Sequence, residues 1–486
     1  MKSLSQILPH SGGFQIVGML DQKVEGFSSD SREVRSGMVF VARKGLIADG
    51  HQFIPAVIER GVKIVFCEAL PEEILVDVTY IQSKNVTEVL SQMLNEFYDH
   101  PSDQLKLIGV TGTNGKTTTA TLCYDLFKSL GYKAGLISTV VNRIHLAEEK
   151  ATHTTPDIIK LYSLLDKMVK EGCSYVFMEV SSHAIDQNRI AGLNFSGAVF
   201  TNLTHDHLDY HKTFDSYLKA KKKFFDGLSK SSFALINSDD KHGQVMVQNC
   251  KAKIYTYALM GMADFKLKIL GNDLHGLHLK YKQQEWFSRL VGVFNGYNLA
   301  AVLGTAILLN EDENHVLPKM SDLKSVEGRF DWMRNEVDGR VGIVDYAHTS
   351  DAVEKILLNI QELRKPNQKI ITIIGCGGNR DRDKRPEMAR IASELSDQLI
   401  LTSDNPRDED PEDIIKQMEI GITSENFHKY IVVVDREQAI KTACAFSHEG
   451  DIILLAGKGH EKYQEVKGVK TFFDDKEKLR KYLLNI

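Results

Sequence analysis

Lys116 closes a glycine-rich stretch, VTGTNGKTTT at 110–119, and a lysine followed by a threonine in such a loop is chemistry for a phosphate. A Walker A loop runs G-x-x-x-x-G-K-[ST], whereas Gly112 here stands only three positions before Gly115, so this loop is shorter. The run LKLIGV before it reads as a buried strand, and an amphipathic helix from about Lys116 to Leu130, closed by Gly131, follows it. A loop in that setting turns backbone N–H groups and the positive end of a helix dipole toward an anion. Lys116 can reach outer phosphates, and the Thr117 hydroxyl can ligate Mg²⁺. A glycine turn with a chance lysine is the plainer alternative, and the flanking strand and helix count against it.

Three further places carry chemistry. Glu179 ends the apolar run SYVFMEV, where a carboxylate beside a phosphate loop can hold Mg²⁺ and where a solvated strand end is the ordinary alternative. The segment THDHLDYH nearly spells a zinc-hydrolase signature with one residue too many, but it follows the strand AVFTNL and should open on the same sheet edge as the glycine loop. His207 is then a metal ligand or phosphate neighbour, with His205 and His211 ordinary loop residues. The third place is TFDSYLKAKKKFFDGLSK, whose apolar stripe runs through Phe214, Tyr217, Leu218, Phe224, Phe225 and Leu228 and puts Lys221 where an apolar residue belongs. An unpaired buried ammonium is costly, so Lys221 snorkels out, pairs with a carboxylate, or loses its charge, as it would on becoming a carbamate with carbon dioxide.

The elements that must position these residues fall into three textures across the 486 residues, more than one core usually serves. Residues 1–101 hold short strands such as MVFVA and KIVFC and end near His100-Pro101. Residues 102–333 alternate strands and helices, which predicts a parallel sheet covered on both faces, then FKLKIL, LHLKY and EWFSRLVG, which predict a small antiparallel patch, and a helix from near Asn295. Residues 334–486 restart the alternation with GRVGIVDY, KIITIIG, QLILTSD, KYIVVVD and DIILLAG, a Rossmann-like open sheet with ligands at its carboxyl edge. The fold class is therefore α/β throughout. A formal charge of −5 leaves no basic footprint for nucleic acid, and no apolar run reaches membrane-spanning length. Six scattered cysteines without a C-x-x-C pair suggest reduced thiols, so a soluble cytoplasmic monomer is expected.

Taken together, SSDSR, TGTNGKTTT, HTTPD, EVSSHA, DHLDYH, the Ala-Lys at 220–221, EGRF, DYAH, GCGG, DNPR and GKGHE resemble the Mur ligase family across essentially the whole chain. These are ATP-dependent amide-bond ligases of bacterial cell-wall peptide synthesis, and the shortened glycine loop is the family's own form. The resemblance implies a UDP-sugar-binding first domain, a central ATPase domain and a third domain for the incoming amino acid. Within the family it points to the branch that adds the third residue to UDP-N-acetylmuramoyl-dipeptide.

Carried over position by position, the resemblance assigns Ser31, Thr154, Thr155, Ser181, Gln187 and Arg189 to the UDP substrate. It assigns Gly112, Thr113, Asn114, Gly115, Lys116, Thr117, Thr118, Asn298, Arg329 and Asp345 to ATP. Thr117, Glu179, His207 and Lys221, the last as a carbamate, become the metal set, with Lys116, Lys221, His207 and Arg329 the catalytic group and Mg²⁺ the ion. Arg380, Asp404, Asn405, Pro406, Arg407, Gly457 and Glu461 surround the amino acid. The Arg407 guanidinium suits the distal carboxylate of meso-diaminopimelate, which lysine lacks, and Asp404 and Glu461 suit the distal ammonium. A ligase adding L-lysine and, more remotely, folylpolyglutamate synthase are the alternatives; the latter's glycine loop lies near its chain start, whereas about a hundred residues precede this one. His153, Asn379 and Asp383 depart from the family pattern.

Overall fold

The computed structural model describes the chain except for residues 1, 10–12, 46, 47, 152, 207, 485 and 486. Three main sheets follow one another along the sequence. The first runs, in spatial order, Phe14–Val17, Thr79–Ser83, Ile64–Cys67, Met38–Ala42 and Gly26–Ser28, parallel except for the first pair. Helix Val86–Phe97 packs its apolar face, Val89, Leu90, Met93 and Leu94, into the same core as Val39, Phe66 and Ile81.

The central sheet has eleven strands. Its parallel part places Lys106–Thr111 between Tyr175–Glu179 and Gly197–Phe200, then continues through Phe233–Asn237 and Lys253–Ala258. Buried residues cover both faces of the first four of these strands, which is why they read as unbroken apolar runs, whereas Lys253–Ala258 is buried only at its end. The three strands expected to form an antiparallel patch, Phe265–Asp273, Gly276–Tyr281 and Gln284–Ser288, do pair that way, but as a continuation of the same sheet. At the opposite edge, Val141–Ile144 and Ala147–Lys150 add an antiparallel hairpin that the sequence reading did not include.

The third sheet is ordered Asp331–Arg334, Val341–Asp345, Ile452–Ala456, Ile370–Ile374, Gln398–Leu401 and Tyr430–Val432. Its five expected strands are all parallel, and an antiparallel strand starting at Asp331 is added at one edge. Helices begin where capping side chains permit. Asp157 accepts from the amides of Ile159 and Lys160 at the head of Ile158–Lys170, and Thr213 accepts from that of Ser216 at the head of Phe214–Asp226. All six cysteines are unpaired, and no described helix is long and apolar enough to cross a membrane.

Candidate active site

The glycine loop leaves the carboxyl end of the central strand Lys106–Thr111, with the tips of both neighbouring strands beside it. Gly112 (φ +152°) and Gly115 (φ +86°) occupy backbone space that side chains avoid. A Cβ on Gly112 would lie 1.9 Å from Thr201 Oγ1, and one on Gly115 2.6 Å from Asn298 Oδ1. From the neighbouring strand end, the Asn202 carbonyl accepts from the Thr113 amide (2.8 Å) and its Oδ1 from the Asn114 amide (2.9 Å). The Thr201 hydroxyl donates to the Asn114 carbonyl (2.6 Å). Helix Lys116–Ser129 starts on Gly115, which has no side chain to cap it, so the first-turn amides through Thr118 face an anion site unsealed.

Lys116 Nζ donates to the carbonyls of Gly112 (3.0 Å) and Thr113 (2.7 Å), and burial holds its ammonium below the ordinary lysine range against the pull of Glu179 and Asp206. Glu179 is fully buried rather than a solvated strand end. Its carboxylate accepts from the Thr117 hydroxyl (3.0 Å) and from the Thr139 amide (2.7 Å) and hydroxyl (3.2 Å). Arg329 Nη2 donates to the same Thr117 hydroxyl (3.2 Å), and its guanidinium lies 4.6 Å from the Tyr346 ring centre. Asp345 accepts from the Phe330 amide (2.6 Å), and burial raises its carboxyl despite nearby Arg329. Asn298 is buried under the loop, accepting from Thr119 Oγ1 (3.3 Å) and donating to Asn295 (3.0 Å).

Lys221 does not snorkel. It is 1% exposed, and Nζ donates to the Gly112 carbonyl (2.8 Å) while lying 4.8 Å from the Tyr217 ring centre. Burial, then repulsion from Lys116, push it well below the ordinary lysine range, and the field of Asp206 offsets only part of this. Two buried lysine Nζ atoms therefore converge on one carbonyl of the phosphate loop. His207 lies outside the described residues; among the described ones, no group of three His, Cys, Asp or Glu side chains is arranged for a metal.

A second group of residues lines the edge beyond Glu179. Buried Thr155 donates to the Glu179 carbonyl (2.8 Å), and its oxygen accepts from the Ser181 amide (3.1 Å). Ser181 caps the short helix Ser182–Asp186. Arg189 donates to Gln187 Oε1 (3.0 and 2.7 Å) and to the Thr155 carbonyl (2.8 Å), while Thr154 accepts from Thr139 (3.1 Å). Burial lowers the Arg189 guanidinium, with the Asp157 carboxylate pulling the other way and Arg43 of the first domain adding to the fall. Ser31 is not drawn into this network among the described residues; its carbonyl accepts from Arg60 (2.7 Å).

The third group gathers at the carboxyl edge of the last sheet. Asn405 donates to Glu461 (2.7 Å), and Lys458, fully buried, reaches Asn405 (3.2 Å), Asp404 (3.4 Å) and Glu461 (3.9 Å). Burial and the nearby Asp404 raise the Glu461 carboxyl. Gly457 (φ +112°) brings the backbone against Asp404. Arg407, behind buried Pro406, donates to the Gly378 carbonyl (2.7 Å), and Arg380 is exposed on the adjoining loop. Asn379 takes a left-handed conformation (φ +54°) that asparagine tolerates, with its amide on Glu409.

Sequence reasoning missed Lys458, although it stands in the GKGHE motif, and missed Thr139. It also missed Asp351, which bonds the phosphate loop from the third domain. The first could have been found as a lysine directly after a buried strand, while the other two carry no sequence signal.

Comparison with known proteins identifies the family. Family models match at residues 23–98 (Mur ligase family, catalytic domain), 110–306 (Mur ligase middle domain) and 328–459 (Mur ligase, glutamate ligase domain). A UDP-N-acetylmuramoyl-L-alanyl-D-glutamate--2,6-diaminopimelate ligase of Cytophaga hutchinsonii is 55% identical over 463 residues, covering 95% of each chain. The protein of the same name from Bacteroides fragilis is 50% identical over 98% of each. A solved structure of a ligase with that name superposes with a TM-score of 0.69 at 32% identity, covering 99% of this chain and 98% of the other. With three family domains in order and half the residues shared over nearly its full length, this chain belongs to the Mur ligase family.

Proposed function

We propose that this protein is the ATP-dependent ligase that joins meso-diaminopimelate to UDP-N-acetylmuramoyl-L-Ala-D-Glu in the cytoplasm, a step of peptidoglycan precursor synthesis. The observation that carries the reading is the mixed-charge cluster of Asp404, Lys458, Glu461 and Arg407 at the carboxyl edge of the third sheet, beside a nucleotide-type loop. An amino acid with a second ammonium and a second carboxylate fits it; L-lysine has no carboxylate to offer the Arg407 guanidinium, whose own carboxylate partner, Glu465, lies at a loose 3.8 Å.

In this reading ATP transfers its γ-phosphoryl group to a free carboxylate of the dipeptide, giving an acyl phosphate and ADP. The amine of the amino acid, having lost a proton, attacks that carbonyl, and inorganic phosphate leaves as the amide forms. The work is mostly alignment and charge neutralisation. Lys116, Arg329 and the first-turn amides hold the phosphates, and Thr154, Thr155, Ser181, Gln187 and Arg189 hold the UDP substrate together with Ser31. Asn298 and Asp345 support the nucleotide. Mg²⁺ fits the oxygen donors present, the Thr117 hydroxyl and the Glu179 carboxylate, and when bound it would neutralise phosphate charge.

Lys221 as a bare ammonium beside Lys116 is a poor neighbour for such an ion. A neutral Lys221 amine, favoured by its burial, can bond to the carbon of CO₂ and release a proton, becoming a carbamate oxygen donor. His207 stands as a further proposed ligand from its family position.

The test is an amino-acid panel with purified protein, UDP-dipeptide, ATP and Mg²⁺. Ligation of meso-diaminopimelate is expected, with L-lysine poorer by up to about 10⁴-fold. Comparable turnover of L-lysine at equal concentration would overturn the choice of amino acid.

A further inference from the structure

One carboxylate crosses from the third domain to the phosphate loop. Asp351, in the first turn of helix Ser350–Leu363, accepts on Oδ2 from Asn114 Nδ2 (3.0 Å), from the Thr204 hydroxyl (3.0 Å) and from Lys355 Nζ (2.9 Å). Asn114 is the residue of the loop between its two glycines whose amide is already fixed by Asn202, and Thr204 follows that same strand end. Thr204 is itself tied to the loop, its carbonyl accepting from the Thr113 hydroxyl (3.2 Å) and its amide donating to Thr113 Oγ1 (3.0 Å). The loop is thus gripped from below by its own sheet and from above by one side chain of another domain. Lys355, one helical turn on, pairs with Asp351 and fixes its carboxylate from the solvent side (2.9 Å).

We infer that Asp351 is a positioning residue for nucleotide binding: through Asn114 and Thr204 it sets the phosphate loop in its binding shape only when the third domain sits where it does here. This rests on the ligase reading and deepens it, because it gives the phosphate loop itself a positioning contact from the third domain. An ordinary helix-stabilising role, with Asp351 serving only the helix dipole and Lys355, would leave the loop indifferent to its loss.

A double-mutant cycle read by calorimetric binding of Mg-ATP separates the two. Asp351→Ala should weaken binding about tenfold, a coupling normal for polar groups in direct contact. In an Asn114→Ala, Thr204→Val background the same change should weaken it less than about twofold, since both contacts from the loop side are already gone. Asp351→Asn, which keeps an acceptor oxygen and the side-chain shape, should recover most of the affinity and guards against a folding defect in the alanine variant. Losses that multiply across the cycle, or unchanged binding in Asp351→Ala, would overturn the inference. Because the readout is nucleotide binding and not turnover, a wild-type protein that fails to bind ATP would instead count against the ligase reading itself.

Discussion

Lys221 and Lys458 are both sealed from solvent, at 1% and 0% exposure, yet their surroundings are opposite. Lys458 lies among Asp404, Asn405 and Glu461, so its charge is matched where it sits. Lys221 has a backbone carbonyl, an aromatic face and a second lysine for company, and no carboxylate within ion-pair reach among the described residues. A buried cation with counter-charges is part of the scaffold: Lys458 lies between two carboxylates, Asp404 and Glu461, and ties them to one point. A buried cation without them is destabilised as a cation, and the chemistry open to it is loss of that charge. The same residue type is thus charge-matched in one domain and, in the function proposed above, open to conversion in another.

The contrast can be broken by substitution. The largest effect is expected for Lys221→Ala, with kcat lower by about 10³-fold, the scale of several kcal/mol of lost charge stabilisation. Its melting temperature should be little changed, since no ion pair among the described residues is broken at this buried position. Bicarbonate-dependent activity of the wild-type protein, absent from the variant, would sharpen the point.

Next comes Lys458→Met, which strands the carboxylates of Asp404 and Glu461. Removing one partner of a buried charge group should lower kcat/KM for diaminopimelate by about 10²-fold and lower the melting temperature, with ATP binding intact. Glu461 already holds its proton to a higher pH than a free glutamate, and it can pair with an ammonium only when ionised. Amino-acid binding is therefore lost as pH falls through that raised value, and removing Lys458 should move this acid limb to higher pH. The smallest effect belongs to Lys219→Ala on the same helix as Lys221. Its partner Asp215 is equally exposed, and neither activity nor stability should change measurably.

Much of this was legible in the sequence because it lies in periodicity and local spacing. Lys221 stood out as a cation in an apolar stripe, and the structure buries it as the stripe requires. The inner parallel strands of the central and third sheets were readable because burial on both faces makes them continuous apolar runs, while Ala134–Ile137 and the half-exposed Lys253–Ala258 were not read. The hairpin Val141–Ile144 and Ala147–Lys150 was not, because only Asn142 among its residues is buried and no apolar alternation marks it. The grip of Asp351 on Asn114 spans 237 positions and depends on how two domains meet, which no local pattern encodes. The same holds for Arg329 on Thr117 (212 positions), which only the family resemblance placed near the nucleotide.

The central claim, that one active site couples ATP cleavage to amide formation, is tested most directly by following ADP and the ligated product together. The account predicts ADP and UDP-N-acetylmuramoyl-tripeptide in equal amounts when UDP-dipeptide, meso-diaminopimelate and Mg-ATP are all present, and neither in quantity when any one is omitted. ADP released at the full rate without the dipeptide or the amino acid, with no tripeptide formed, would contradict it.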